Sequence, residues 1–473
     1  MPSRILGDLL IDGATLRGDA AIVVTSVVHD SREVAAGSLF CCIRGEHVDG
    51  HTLAQGAVAA GATAVLVDRP LELPHGVAQI VVADTRSSMG RIAASFWGHP
   101  SRALTMVGIT GTNGKTTTAS LVAAVLEAAG FPTGVIGTLT GPHTTPESPQ
   151  LQQRLAAFVD EGRSAVVMEV SSHALALHRV AGCHFDVSVF TNLGRDHLDL
   201  HGTVERYFAA KAALFAPELS DRGVTNLDDV HGRLLADTAR IPMDGFSATE
   251  MDDLVVSPTS HSYRWRGERI EVGLGGRFNA MNSLAAAKVG VALGIPVEVV
   301  ARGLAGAGIV PGRFEPIDVG QPFAVIVDFA HTPDGLREAL LAARDAAGEG
   351  HVIAVFGCGG DRDRDKRPEM GLVAASIADR VVVTSDNPRS EDPAAIINAI
   401  IDGVPADYRG RVVSEPDRRR AFALAFQVAT AGDVVVIAGK GHETTQTISD
   451  RVLPFDDRQV ARAVLQSQGQ AER

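Results

Sequence analysis

Short β-branched runs alternate with Ala- and Leu-rich stretches along almost the whole chain. That alternation predicts strand–helix units, and therefore α/β domains with largely parallel sheets. The strand candidates are Thr105 to Ile109, Ala165 to Val170, Ser188 to Thr191, Val325 to Ala330, Val352 to Gly357, Val381 to Ser385 and Val434 to Ala438. The last six run into Ser171, Asn192, His331, Gly359-Gly360-Asp361, Asp386 and Gly439-Lys440-Gly441 respectively. Ligand crevices of open α/β sheets lie outside the carboxyl ends of the strands, so chemistry is expected there. General loop polarity explains polar residues at these points, but not these particular ones.

Turns at Gly98-His99-Pro100-Ser101 and Pro311-Gly312-Arg313, with a polar tail after Gln466, divide the chain into three expected domains: 1–101, 102–311 and 312–473. A length of 473 residues agrees, at roughly 100–200 residues per domain. With 43 Lys plus Arg against 56 Asp plus Glu, the net charge of −13 argues against a general nucleic-acid binder. No apolar run approaches the ~18 residues of a membrane span. Asp8 interrupts the opening segment before a signal-peptide core can form, so a cytoplasmic location is expected. Cys41, Cys42, Cys183 and Cys358 lack metal-ligand spacing and are read as reduced core thiols. Lysine is confined to positions 115, 211, 288, 366 and 440, arginine supplying the other basic side chains. The two cations are not interchangeable, so a retained lysine points mildly to a need for an amine, with drift as the alternative.

Thr105 to Ile109 leads into Thr110-Gly111-Thr112-Asn113-Gly114-Lys115-Thr116-Thr117-Thr118, then a helical stretch with apolar Leu121, Val122, Val125 and Leu126. Strand, glycine-rich turn and helix N-terminus build an anion site, because backbone N–H groups reach the phosphates and the helix dipole favours negative charge. Lys115 would meet the β- and γ-phosphates and the Thr116 hydroxyl a Mg2+ ion. Ile109 stands where the usual spacing places the first glycine. The motif indicates ATP or GTP and says nothing of the reaction.

Gly111-Thr112-Asn113-Gly114-Lys115-Thr116 resembles the phosphate loop of Mur ligases and folylpolyglutamate synthetases, and the rest of the chain is similar to the former, in their MurE-type branch. Asp30-Ser31-Arg32 and Gly45-Glu46-His47-Val48-Asp49-Gly50-His51 resemble its smaller, uridine-nucleotide-binding α/β domain. Met168-Glu169-Val170-Ser171-Ser172-His173, Thr191-Asn192-Leu193-Gly194-Arg195-Asp196-His197-Leu198-Asp199 and Ala209-Ala210-Lys211 resemble its central P-loop ATPase domain. Asp361-Arg362-Asp363, Asp386-Asn387-Pro388-Arg389 and Gly439-Lys440-Gly441-His442-Glu443 resemble its Rossmann-like third domain.

The resemblance implies ATP-dependent amide formation, in which a substrate carboxylate becomes an acyl phosphate and an amine displaces phosphate. It implies Lys115, Glu169, His197 and Lys211 as catalytic residues. Thr116 and Glu169 would hold one Mg2+ and His197 a second, with Lys211 carbamylated so that a cation becomes a metal-binding anion. A packed histidine and a solvated helix lysine are the alternatives. ATP is implied to contact Gly111 to Thr117, Arg313, Asp328 and the pair Asn279 and Asn282. Those asparagines could instead cap a helix from Ser283 to Val289. Phe329 stands where the family usually has Tyr.

Ser31, His47, Thr144, Thr145, Ser171 and Arg179 are the implied contacts of a UDP-muramoyl peptide, Arg179 being equally readable as a surface arginine. Arg362, Asp386, Asn387, Arg389, Gly439 and Glu443 are implied to hold the incoming amine. Arg389 would supply the cation that the distal carboxylate of diaminopimelate requires and lysine does not; Asp-Asn-Pro is also an ordinary turn. The implied reaction joins meso-diaminopimelate to UDP-N-acetylmuramoyl-L-alanyl-D-glutamate in peptidoglycan precursor synthesis. Its partners would be small-molecule substrates, with no nucleic acid or membrane, and the enzyme a monomer. An L-lysine-adding ligase, a specialised paralogue and a non-catalytic binder of nucleotide or UDP-sugar remain as alternatives. A regulatory P-loop GTPase is disfavoured by the lack of an Asn-Lys-x-Asp motif.

Overall fold

The strand–helix alternation closes into three main sheets, one after another along the chain. A computed structural model describes residues 2–45 and 48–471. Its first sheet has the order Thr15–Arg17, Ala78–Val81, Ala64–Val67, Ser38–Cys41, Ser26–Val28, antiparallel only at the first pair. The central sheet is wholly parallel: Met243–Phe246, Ser220–Asn226, Phe185–Phe190, Thr105–Thr110, Ala165–Glu169, Thr133–Ile136. The third runs Glu315–Pro316, Ala324–Asp328, Val434–Ala438, Val352–Phe356, Arg380–Val383, Val412–Ser414, again antiparallel only at its first pair. This is the three-domain α/β class expected, with parallel strands buried on both faces as their continuous apolar runs require. An antiparallel three-stranded sheet, Asp252–Val256, His261–Trp265 and Glu268–Val272, packs Tyr263, Trp265 and Ile270 into the central core.

Several element boundaries differ from the sequence reading, each for a local reason. The strand expected from Ser188 begins at Phe185, because the apparent breaker Asp186 turns its carboxylate to the Met106 N–H of the neighbouring strand at 2.7 Å. The strand expected to reach Ala330 stops at Asp328, whose carboxylate accepts the N–H groups of Phe314 and Ala330 and so starts the next turn. The helix expected from Ser283 to Val289 spans Arg277–Ala292. The segment read as a polar tail is the end of the helix Asp457–Ala471, which holds Ala461, Val464 and Leu465 in the third core. All four cysteines are buried and free. Among the described residues, no helix is long and apolar enough to cross a membrane.

Two junctions bring the sheets together. Helix Thr85–Trp97 of the first unit lies so close to the central loop at Ala181 that a Cβ on Gly90 would stand 2.3 Å from the Ala181 carbonyl oxygen. Gln150 of the helix Ser148–Asp160 reaches Glu33 at 3.3 Å. On the other side, Asp334 of the third unit accepts the Arg195 N–H at 3.0 Å, and Gly194 leaves the room for that approach. The carboxyl ends of central strands and of the third-sheet strand Ala324–Asp328 face one cavity.

Candidate active site

The central strand Thr105–Thr110 ends between its neighbours Ala165–Glu169 and Phe185–Phe190, and the chain turns there into the phosphate loop. Gly114 takes φ +85° as the N-cap of helix Lys115–Ala128, whose apolar positions Leu121, Val122, Val125 and Leu126 are all buried. A Cβ on Gly114 would lie 2.5 Å from Asn282 Oδ1, so only glycine lets the loop rest on that asparagine. Lys115 Nζ donates to the carbonyls of Gly111 and Thr112, both at 2.9 Å. Burial pushes its ammonium below the usual lysine range.

Glu169, at the end of its strand, is 2% exposed. It accepts from the Thr116 hydroxyl at 3.0 Å, the Thr138 N–H at 2.8 Å and the Thr138 hydroxyl at 3.2 Å. Thr145 donates to the Glu169 carbonyl at 2.8 Å and accepts the Ser171 N–H, while Thr144 meets Thr138 at 3.0 Å. Thr144, Thr145 and Ser171 are thus gathered around Glu169. Thr138 and Gly137 belong to the same cluster and were missed; both follow the strand Thr133–Ile136, so the strand-end rule could have found them. Arg179 is no surface side chain: it donates to Glu147 at 2.8 Å and to the Thr145 carbonyl at 3.0 Å.

Lys211 is 1% exposed and donates to the Gly111 carbonyl at 2.8 Å, with its nitrogen 4.4 Å from the Tyr207 ring centre, which excludes the solvated helix lysine. Burial, aided by Lys115, holds its amine well below the ordinary lysine value. His197 adopts φ +53° and stacks edge-on to His173 at 4.6 Å, with Asp196 at 3.3 Å. Burial pushes its imidazole down to about 4 against the pull of Asp196, so the ring is held neutral, the form that can ligate a metal.

Asn279 and Asn282 sit inside the helix Arg277–Ala292 and not at its cap. Asn279 donates to the Gly275 carbonyl at 2.7 Å and Asn282 to Asn279 at 3.0 Å, so the two are fixed as a buried pair beside the phosphate loop. From the third unit, Arg313 donates to the Thr116 hydroxyl at 3.0 Å and lies 4.5 Å from the centre of the Phe329 ring. The phenyl face thus holds the guanidinium by a cation–π contact, which needs no tyrosine hydroxyl. Burial raises the Asp328 carboxyl, opposed by Arg313 and by backbone N–H donors. Asn282, Arg313, Asp328 and Phe329 line, with the phosphate loop, Glu169 and His197, a cavity of about 790 Å3.

A second cluster lies at the carboxyl end of the third sheet. Asn387 donates to Glu443 at 2.8 Å, and a Cβ on Gly439 would lie 2.6 Å from Asp386 Oδ2. Arg389 donates to the Gly360 carbonyl at 2.6 Å, and both Arg389 Nη1 and Arg362 Cγ flank Gly359, whose Cβ would stand 2.9 and 3.8 Å from them. All six residues expected to share this pocket come together around these strand ends. Arg418, missed in the sequence, ties the two ends from behind: it donates to the carbonyls of Ser385 and Ala438 and is held by Asp457 at 2.6 Å. No motif marked it, since its partners lie 33, 20 and 39 residues away. Ser31, half-buried beside the capping Asp30, stands in the first unit apart from these clusters. His47 lies outside the described residues.

A phosphate loop on one parallel sheet, with the end of the strand Ala324–Asp328 of another on the same cavity, defines the class as a nucleotide-dependent enzyme. Family models match in chain order: the Mur ligase family catalytic domain over residues 23–97, the Mur ligase middle domain over 109–290, and the Mur ligase glutamate ligase domain over 312–441. A UDP-N-acetylmuramoyl-L-alanyl-D-glutamate–2,6-diaminopimelate ligase from Geobacillus kaustophilus is 44% identical, covering 94% of this chain and 96% of its own. One of the same name from Solibacter usitatus is 46% identical over 94% of each chain. A solved structure of a ligase with that name superposes with a TM-score of 0.67 at 33% identity, covering 94% of this chain and 95% of its own. The chain belongs to the Mur ligase family, and it is accordingly an ATP-dependent amide ligase.

Proposed function

We propose that this ligase joins meso-diaminopimelate to the D-glutamyl carboxylate of UDP-N-acetylmuramoyl-L-alanyl-D-glutamate in peptidoglycan precursor synthesis. Its nucleotide substrates place it in the cytoplasm. Residues 1–101 hold the uridine nucleotide through Ser31 and His47, 102–311 the ATP, and 312–473 the amino acid. What supports this reading above all is the Arg313–Thr116 bond across the two units, 3.0 Å long, which brings the third unit onto the cavity that the phosphate loop lines. Opposed charges at Arg389, Arg362, Asp386 and Glu443 suit a substrate carrying an ammonium and a carboxylate at each end.

In the first step a carboxylate oxygen of the acceptor bonds to the γ-phosphorus as the bond to the β-phosphate oxygen breaks, and ADP leaves. In the second the amine nitrogen attacks the acyl carbon, the carbon–oxygen bond to phosphate breaks, and the amine gives up a proton. Lys115 and the loop N–H groups receive the phosphates, while Thr144, Thr145, Ser171 and Arg179 orient the acceptor. Asn279 and Asn282 face the adenine, and Arg313 and Asp328 close over the nucleotide. Thr116 and Glu169 present adjacent buried oxygens at 3.0 Å, the hard donors that Mg2+ takes. They would hold one ion, with His197 and carbamylated Lys211 at a second; bound Mg2+ offsets the charge of the clustered phosphate oxygens. The depressed amine of Lys211 favours the neutral form that adds CO2.

Phosphate release from ATP, measured with Mg2+ and the UDP-muramoyl dipeptide, is expected with meso-diaminopimelate and not with L-lysine, together with a UDP-tripeptide of matching mass. Release with both amines, or with neither, overturns the assignment. Arg389→Ala is expected to raise KM for diaminopimelate on the order of 10²-fold, the scale of removing one partner of a charge pair, with KM for ATP unchanged. Steady-state titration of each substrate checks this, and an unchanged KM for diaminopimelate removes Arg389 from the pocket.

A further inference from the structure

We propose that Lys440 is a positioning residue of the amine pocket, acting through Glu443, Asn387 and Arg389; the inference rests on the diaminopimelate reading above. Lys440 is one of the few lysines of the chain, yet nothing in the reaction just described uses it. Its side chain is wholly buried behind the pocket, whereas that of Glu443 is 35% exposed. An ammonium has three N–H donors. Those of Lys440 meet three acceptors: Glu443 Oε2 at 3.0 Å, Asn387 Oδ1 at 3.4 Å and the Thr445 carbonyl at 2.5 Å.

Each of these bonds sets a different part of the pocket. Asn387 Oδ1 also accepts the Thr447 N–H at 2.9 Å, so its amide is locked with Nδ2 turned to Glu443. Glu443 Oε2 is therefore gripped by both Lys440 and Asn387, which fixes the carboxylate's direction. The Thr445 bond anchors the hairpin Thr445–Ile448 and Arg451–Pro454 to the strand end at Ala438. That hairpin holds Arg389 in turn: the Arg389 N–H donates to the Thr447 carbonyl at 3.0 Å, and the Ser449 N–H to the Arg389 carbonyl at 2.6 Å. Arg389 is kept at φ +50°, a conformation non-glycine residues adopt only when their surroundings impose it. One buried ammonium thus orients the anion, the amide and the backbone of the cation that would together read the two ends of the amino acid.

The test is Lys440→Met, which keeps the length and apolar stem but removes all three donors. KM for meso-diaminopimelate is expected to rise on the order of 10- to 100-fold, the usual effect of losing a partner that orients a ligand-contacting group. KM for ATP and for the UDP-muramoyl dipeptide, and the melting temperature, should hold. Combined with Glu443→Gln, the penalty should fall well short of the product of the two single effects, because Lys440 works through Glu443. An unchanged KM for diaminopimelate, or equal losses for all three substrates with a lowered melting temperature, overturns the inference. Where Lys440→Met does not fold, Lys440→Gln is measured in the same way and the same outcomes decide. Silence of the unmutated ligase with diaminopimelate overturns the function and this inference together; turnover by it with an unaffected variant overturns the inference alone.

Discussion

Lys211→Ala is expected to lower turnover on the order of 10³-fold or more, the scale of losing preorganised stabilisation of phosphoryl-transfer charge. The side chain lies among Gly111, Tyr207 and Lys115, where an unmodified ammonium adds positive charge to a buried site already holding one lysine. The proposed carbamate would reverse that charge, where phosphates held by a metal ion would need it. A short carboxylate such as acetate, added in excess, should restore part of the activity by occupying the space of the lost anion. A short alkylamine should not. Rescue by the amine alone would instead assign Lys211 the task of holding the Gly111 carbonyl, and full activity without additive would remove it from the reaction.

Gly111→Ala is expected to lower kcat/KM for ATP on the order of 10²- to 10³-fold, comparable to losing a preorganised active-site donor. An added Cβ would stand 1.9 Å from the Thr191 hydroxyl, in a backbone held at φ +147°. Thr191 cannot easily yield, since it donates to the carbonyls of Asn113 at 2.6 Å and Thr110 at 3.3 Å. The loop must move instead, and with it the Gly111 carbonyl that accepts from both Lys115 and Lys211. Gly130→Ala separates backbone strain from collision: its φ is +87° with open space around it. That control should cost roughly 1–2 kcal/mol of stability and leave turnover intact. Equal kinetics for the two variants would show that the close approach at Gly111 carries no function.

The strand ends were legible in the sequence because a parallel strand buried on both faces must be continuously apolar, and because its carboxyl end is where the chain meets ligand. Val434 to Ala438 matches the observed strand at both ends, and the phosphate loop lies between strand and helix as its glycines require. Boundaries set by a single side chain were not legible. Aspartate is a poor strand former by propensity, yet Asp186 is a strand residue because its carboxylate accepts the Met106 N–H. Asn279 and Asn282 carry good capping side chains, yet the helix begins before them and their amides turn inward to each other.

For the site, the phosphate-loop motif pointed to Lys115 and the family resemblance to Glu169, His197 and Lys211, but only the assembled structure decided what each is next to. The Lys211 amine donates to a carbonyl 100 residues away, and the grip on Glu169 comes from a threonine 31 residues earlier. Arg418 and Lys440 show the same limit, their effect residing in partners on other elements. The chain by itself thus determined the α/β class, the order of strands and helices, the nucleotide loop and the chemical types gathered at the strand ends, since periodicity and local backbone demands act over a few residues. The tertiary structure decided which amines are buried, which carboxylates are gripped and which two sheets share a cavity. Desolvation and hydrogen bonding depend on neighbours brought from across the chain, and no local pattern encodes them.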